Sequence, residues 1–99
     1  MVFPSRGAVI FVHGCFWHGH DCRFFREPGS RREFWKTKFN ANRRRDMTVR
    51  AVLSTQGWRQ LVIWECALRG QPAAAREKVA NRAAAWLRSK KTTGEIRGN

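Results

Sequence analysis

Five consecutive apolar residues, Ala8-Val9-Ile10-Phe11-Val12, would present side chains to both faces of an extended chain, and they predict a strand buried between two layers. His13-Gly14 ends it. From Cys15 to Gly29 neither a helical nor a strand period is visible, and glycine, proline, imidazole and aromatic side chains mix in a loop that looks functional. Ser30 followed by Glu33 has the spacing of a capping box, so a helix is expected to begin there and carry Phe34 and Trp35. The apolar period weakens at Asn40-Ala41-Asn42, which predicts a break. A second helical segment then runs from about Arg43 to Gln56, with Val49, Val52 and Leu53 on one face and Gly57 as its stop.

Trp58-Arg59-Gln60-Leu61-Val62-Ile63-Trp64 is rich in β-branched and aromatic residues and predicts a second strand. Gln71-Pro72 opens a last helix, in which Val79, Ala83, Trp86 and Leu87 recur at helical spacing to about Lys90. Thr92 to Asn99 is expected to fray. Two buried strands separated by helix imply an α/β fold with a mixed sheet and flanking helices. The expected organisation is one domain over residues 1–91 and a disordered tail over residues 92–99.

Composition adds a partner to this outline. The chain has 99 residues, twenty Lys or Arg against seven Asp or Glu, a formal charge of +13, five Trp, seven Phe and no Tyr. An apolar fraction of 42% argues against wholesale disorder. The longest apolar run has five residues, far short of the roughly twenty that a membrane span needs, and no secretory signal is apparent. Charge is uneven: residues 1–21 sum to zero, residues 22–50 to +7, residues 51–70 to +1 and residues 71–99 to +5. Cations neutralise phosphates and aromatic rings stack on bases or wedge them apart, so this distribution suggests a nucleic-acid partner; a solvated charged surface is the blander reading. Arg43-Arg44-Arg45, at the expected start of the second helical segment, stand at the end that disfavours cations, which suggests an anionic partner nearby.

All three histidines and two of the three cysteines fall within ten residues, as His13, Cys15, His18, His20 and Cys22. An odd number of cysteines suits metal ligation better than a disulfide scaffold. Cys15, His20 and Cys22 offer three zinc ligands from one loop, and Cys66 a fourth from the end of the second strand. Thiols that merely pack are the alternative. His13 and His18 then remain for acid–base work on a phosphodiester, or as ordinary hydrogen-bonding histidines. Phe16-Trp17 between them caps the core or wedges into a base stack.

The run Phe11-Val12-His13-Gly14-Cys15-Phe16-Trp17-His18-Gly19-His20-Asp21-Cys22, with Glu33-Phe34-Trp35, Asn42, Arg45-Asp46, Gly57-Trp58-Arg59 and Ile63-Trp64-Glu65-Cys66-Ala67-Leu68-Arg69-Gly70, resembles the very short patch repair (Vsr) mismatch endonucleases of bacteria over about residues 2–70. The resemblance implies the α/β core of type II restriction endonucleases and the nicking of one strand at T:G mismatches in double-stranded DNA. It implies structural zinc on Cys15, His20, Cys22 and Cys66, intercalation by Phe16, Trp17 and Trp35, and catalytic roles for His13 and His18. It implies catalytic magnesium, bound partly by the backbone of Val12, where the family's pattern has Thr. A monomer in the bacterial cytoplasm, associated with the nucleoid, is the corresponding expectation.

The sequence departs from the family at its start. The family's principal magnesium ligand, an Asp, would fall immediately before Met1, and no carboxylate near the start replaces it; Asp21 lies in the loop and Asp46 in the second helical segment. The expectation is a truncated member that binds zinc and DNA but nicks poorly or not at all. The alternative is a noncatalytic, zinc-stabilised DNA-binding module or remnant.

Overall fold

A computed structural model describes residues 1–20 and 29–98. The elements in chain order are β1 (Val2–Phe3), β2 (Ala8–His13), α1 (Arg32–Thr55), β3 (Arg59–Trp64), α2 (Ala73–Arg88) and β4 (Thr93–Ile96), with turns of 3-10 helix at Pro4–Arg6 and Glu65–Ala67. They form one four-stranded mixed sheet in the order β1-β2-β3-β4. β1 pairs antiparallel with β2, while β2, β3 and β4 run parallel. Parallel neighbours need long crossovers, and α1 and α2 supply them.

Period two divides β2 and β3 between the layers. Ala8, Ile10, Leu61 and Ile63 join Ile96 and the α2 residues Val79, Ala83 and Trp86 in the main core. The alternate residues face α1, where buried Gln60 donates from Nε2 to the Arg50 carbonyl at 2.9 Å and to Ser54 Oγ at 3.2 Å. The second layer is thus attached largely through polar contacts and Phe39, the one buried residue of α1. Val49 and Val52, expected to form a packed face, are exposed.

Three local expectations need correction. The Ser30/Glu33 capping box does not form: the helix starts at Arg32, and its N-cap, Arg31, has a left-handed backbone (φ 54°) without a side-chain cap bond. The break at residues 40–42 is absent and α1 is continuous. Asparagine's weak helix propensity is outweighed there by a tertiary bond, in which Asn42 Nδ2 donates to the Trp17 carbonyl at 2.7 Å, and by a bond within the helix, in which Asn40 Oδ1 accepts from Arg43 at 2.8 Å. Arg43, Arg44 and Arg45 therefore lie mid-helix, and the argument from an unfavourable helix end lapses. The residues expected to fray instead contain β4, paired with β3 from Gln60↔Thr93 to Ile63↔Ile96. Gly94 permits this, since a Cβ there would lie 2.6 Å from Trp86 Nε1, and that indole nitrogen donates to the Thr93 carbonyl at 3.0 Å.

Arg59, the first residue of β3, ties the layers together. Its guanidinium donates to the carbonyls of Leu87 (2.8 Å), Ser89 and Lys91 (both 3.1 Å), Arg6 (3.2 Å) and Trp86 (3.4 Å). It also stands 4.8 Å from the centre of the Trp86 ring. No carboxylate is among these partners. The cation instead meets carbonyls at the C-terminal end of α2, which is the negative end of the helix dipole. Lysine cannot reproduce the planar fork. Arg59→Lys is therefore expected to lower unfolding free energy by about 2 kcal/mol, measurable by urea denaturation.

Candidate active site and metal cluster

The parallel register ends at His13↔Trp64, so the chain leaving β2 and the chain leaving β3 emerge side by side. Two groups of side chains collect there. The first contains His13, His18 and Asp46, whose potential ligand atoms lie within 4.8 Å of one another. His13 Nε2 is 3.2 Å from Asp46 Oδ1. A carboxylate can only accept, so Nε2 carries the proton of that pair. Burial holds the His13 pKa below its ordinary value; His18 and Arg50 push the same way and Asp46 opposes them. His13 is accordingly neutral near pH 7, with a lone pair on Nδ1. His18 is 3.2 Å from the Gly14 carbonyl through Nδ1, which leaves Nε2 as its basic nitrogen.

The His13 and His18 rings are stacked, with centroids 4.4 Å apart and planes 10° from parallel. Imidazole lone pairs lie in the ring plane, and two nearly parallel, separated planes do not converge on one ion. The group is therefore suited to orienting and moving protons better than to clasping a metal. It borders a cleft of about 380 Å³ lined by Phe11, Trp17, His18, Asn42, Arg45, Asp46 and Val49. Asp46 was not assigned a role from sequence; the i, i+4 pairing of Asp46 with Arg50 on a helix opposite β2 was the available signal.

The second group contains Cys15, His20 and Cys66. Both sulfurs are on fully buried residues, and Cys66 Sγ is 3.8 Å from His20 Nδ1. A tetrahedral zinc with Zn–S of about 2.3 Å and Zn–N of about 2.0 Å would set this separation at roughly 3.6 Å, so the donor set and spacing fit that ion. The Gly98 amide donates to Cys66 Sγ at 3.3 Å. Cys22, expected as a fourth ligand, lies outside the described residues.

The expected intercalators also come together. Phe16 meets Trp17, Trp35 and Phe39 edge-on at 5.5, 5.3 and 5.2 Å between centroids. Trp17 is 55% exposed, so the cluster has a buried root and an open tip. α1 grips this loop from outside, through Asn42 on the Trp17 carbonyl and Arg43 on the His18 carbonyl at 3.1 Å. Val12, the expected backbone ligand for magnesium, lies in β2 with its side chain exposed. The one carboxylate at the histidine pair, Asp46, is engaged by His13, so the described residues alone do not assemble the oxygen-rich site that magnesium requires.

Residues 1–24 match the family model described as DNA mismatch endonuclease Vsr. The chain is 54% identical over 68 residues to the type II nicking enzyme V.XorIIP of Xanthomonas oryzae pv. oryzae, covering 69% of this chain and 50% of that protein. It is 42% identical over 89 residues to the DNA mismatch endonuclease Vsr of Escherichia coli K12, covering 90% of this chain and 57% of that protein. This chain is a relative of Vsr. Identity to the type II nicking enzyme V.NmeAIP of Neisseria meningitidis is 39% over 79 residues, covering 80% of this chain and 56% of that protein. The chain thus spans about half the length of these Vsr-like relatives. Its parallel strands with helices on both faces agree with the restriction-endonuclease-like core that the Vsr resemblance implied.

The His13–Asp46 pair has a direct consequence for stability. Asp46→Ala leaves a buried imidazole without its acceptor and is expected to cost about 1–3 kcal/mol in thermal or urea unfolding. Asp46→Asn keeps an acceptor oxygen and should lose less.

Proposed function

We propose that the chain is the lesion-engaging part of a mismatch-specific DNA endonuclease, acting on T:G mismatches in double-stranded DNA. One observation carries this reading: a proton-handling histidine pair backed by Asp46 lies at the same sheet end as a half-exposed aromatic wedge. The wedge, Phe16, Trp17 and Trp35, enters the base stack, while cations of α1 such as Arg45, which lines the cleft, neutralise phosphates. Water loses a proton to His18 Nε2 as its oxygen attacks phosphorus, and the bond from phosphorus to the leaving oxygen breaks. His13, held by Asp46, supports the stacked His18 ring. The names of the relatives, which include a mismatch endonuclease and nicking enzymes, support the same reaction class.

Zinc is proposed as a structural ion on Cys15, His20, Cys66 and Cys22, stapling the loop to the end of β3. Its chemistry there is to fix geometry. Purified protein is expected to hold one equivalent of zinc, and Cys66→Ala to lower metal content and stability together, because binding and folding are linked. Full zinc content in that variant would remove Cys66 from the ligand set.

Magnesium would neutralise charge at the phosphate, with Val12 offering a carbonyl, but the donor set among the described residues is too poor in carboxylates to hold it firmly. The 99-residue chain, acting as a monomer in the cytoplasm near the nucleoid, is therefore expected to bind DNA and nick it slowly or not at all. The same scarcity favours a second reading, a noncatalytic zinc-stabilised DNA-binding module.

Equilibrium binding to duplexes that differ only in T:G against T:A tests the first reading. Tighter, salt-sensitive binding to the mismatch is expected, and Trp17→Ala should erase most of the preference; equal affinity for the two duplexes would overturn it. Nicking separates the two readings. Efficient magnesium-dependent nicking, reduced at least about a hundredfold by His18→Ala, would exclude the noncatalytic module.

A further inference from the structure

Trp64 occupies an unusual position among the rings of both groups. Its indole stacks on His20 with centroids 3.8 Å apart and planes parallel at 0°. It presents an edge to His13 at 5.3 Å and to His18 at 5.6 Å, with interplanar angles of 76° and 86°. All three histidines therefore rest against one side chain, which the final register pair His13↔Trp64 places beside β2.

A second observation concerns polarity. Among the described residues, two buried side-chain nitrogens have no hydrogen-bond partner, His13 Nδ1 and Trp64 Nε1. They belong to neighbouring rings and have opposite sense. Indole Nε1–H can only donate. With Nε2–H committed to Asp46, neutral His13 has an accepting lone pair on Nδ1. The two nitrogens do not bond each other directly, so these buried groups of complementary sense in adjacent rings are satisfied most economically across one trapped water.

We propose that Trp64 is a positioning residue that donates its indole proton to His13 Nδ1 through one trapped water, and so fixes the His13 tautomer while its faces and edges hold His18 and His20. The proposal rests on the reading of His13, His18 and Asp46 as the nucleolytic site. It explains why the position calls for Trp: phenylalanine would offer a similar face to His20 but no donor to His13. It also makes Trp64 the physical link between the sulfur–nitrogen cluster and the histidine pair, since the indole that stacks on His20 is the one that orients His13.

Nitrogen-15 NMR of the full chain with one equivalent of zinc tests this without DNA or magnesium. In the wild type, the Trp64 indole proton should exchange with solvent much more slowly than that of half-exposed Trp17. His13 should show one protonated nitrogen, Nε2, and one unprotonated, Nδ1. In Trp64→Phe, zinc content and circular dichroism should persist while the two His13 nitrogen shifts move toward their average, reporting mixed tautomers. A Trp64 indole that exchanges as fast as Trp17, or a Trp64→Phe protein that keeps the wild-type His13 shifts, would overturn the proposal. If Trp64→Phe does not fold, the wild-type exchange and tautomer signals decide alone. A failed mismatch-binding experiment would leave these outcomes intact, and their failure would leave the nuclease reading intact.

Discussion

The parallel register of β2 and β3 is the constraint on which the rest depends. It runs without interruption from Ala8↔Arg59 to His13↔Trp64. Because parallel strands point the same way, the two chains leave the sheet at one edge, and the loop from Cys15 and the turn at Cys66 start as neighbours. Shifting the pairing by one residue would turn His13 to the opposite face, away from Asp46 and toward α2. The equivalent slip of β3 would move Gln60 from its α1 partners into the apolar layer. Register and chemistry are therefore specified by the same interactions, and the buried glutamine acts against misalignment as the apolar residues act for burial.

Electrostatically, the molecule separates its functions along the strands. At the amino-terminal end of β3, Arg59 satisfies carbonyls of α2 and the following turn without any carboxylate partner. At the carboxy-terminal end neutral His13 donates to Asp46, and residues 1–21, which carry His13, have no net charge. A chain of charge +13 would repel itself, yet its reactive edge is set apart from most of that charge by aromatic and histidine rings. Among the described residues most of the cations lie on α1 and α2, where solvent screens them and phosphate can replace water, and Arg45 reaches the rim of the cleft.

Much of this was legible in the sequence because it was written in short-range pattern. The apolar runs of β2 and β3 and the spacing of Val79, Ala83 and Trp86 located the core, and ligand chemistry grouped Cys15, His20 and Cys66 across half the chain. What escaped depended on long-range contacts. Asp46 looked like one more charge in a basic helix until the fold set it against His13. Asn42 reads as a helix breaker because its partner is a carbonyl of a distant loop. β4 was hidden by Gly94, whose lack of a side chain suggests a turn in isolation and serves close packing under Trp86 in the fold. Trp64 was visible as a strand residue, but its contact with three histidines was not.

The distance along the chain between Cys15 and Cys66 also sets an order of events during folding. These sulfurs meet only after the β2–α1–β3 crossover has closed, a slow, non-local step that requires loop entropy to be lost before contacts repay it. A soft metal ion arriving earlier would meet only the donors close to Cys15, an incomplete set. One arriving later finds both sulfurs and an imidazole already converged, with the Gly98 amide from the far end of the chain in place against Cys66. The completed topology thus brings together donors that are far apart in the sequence.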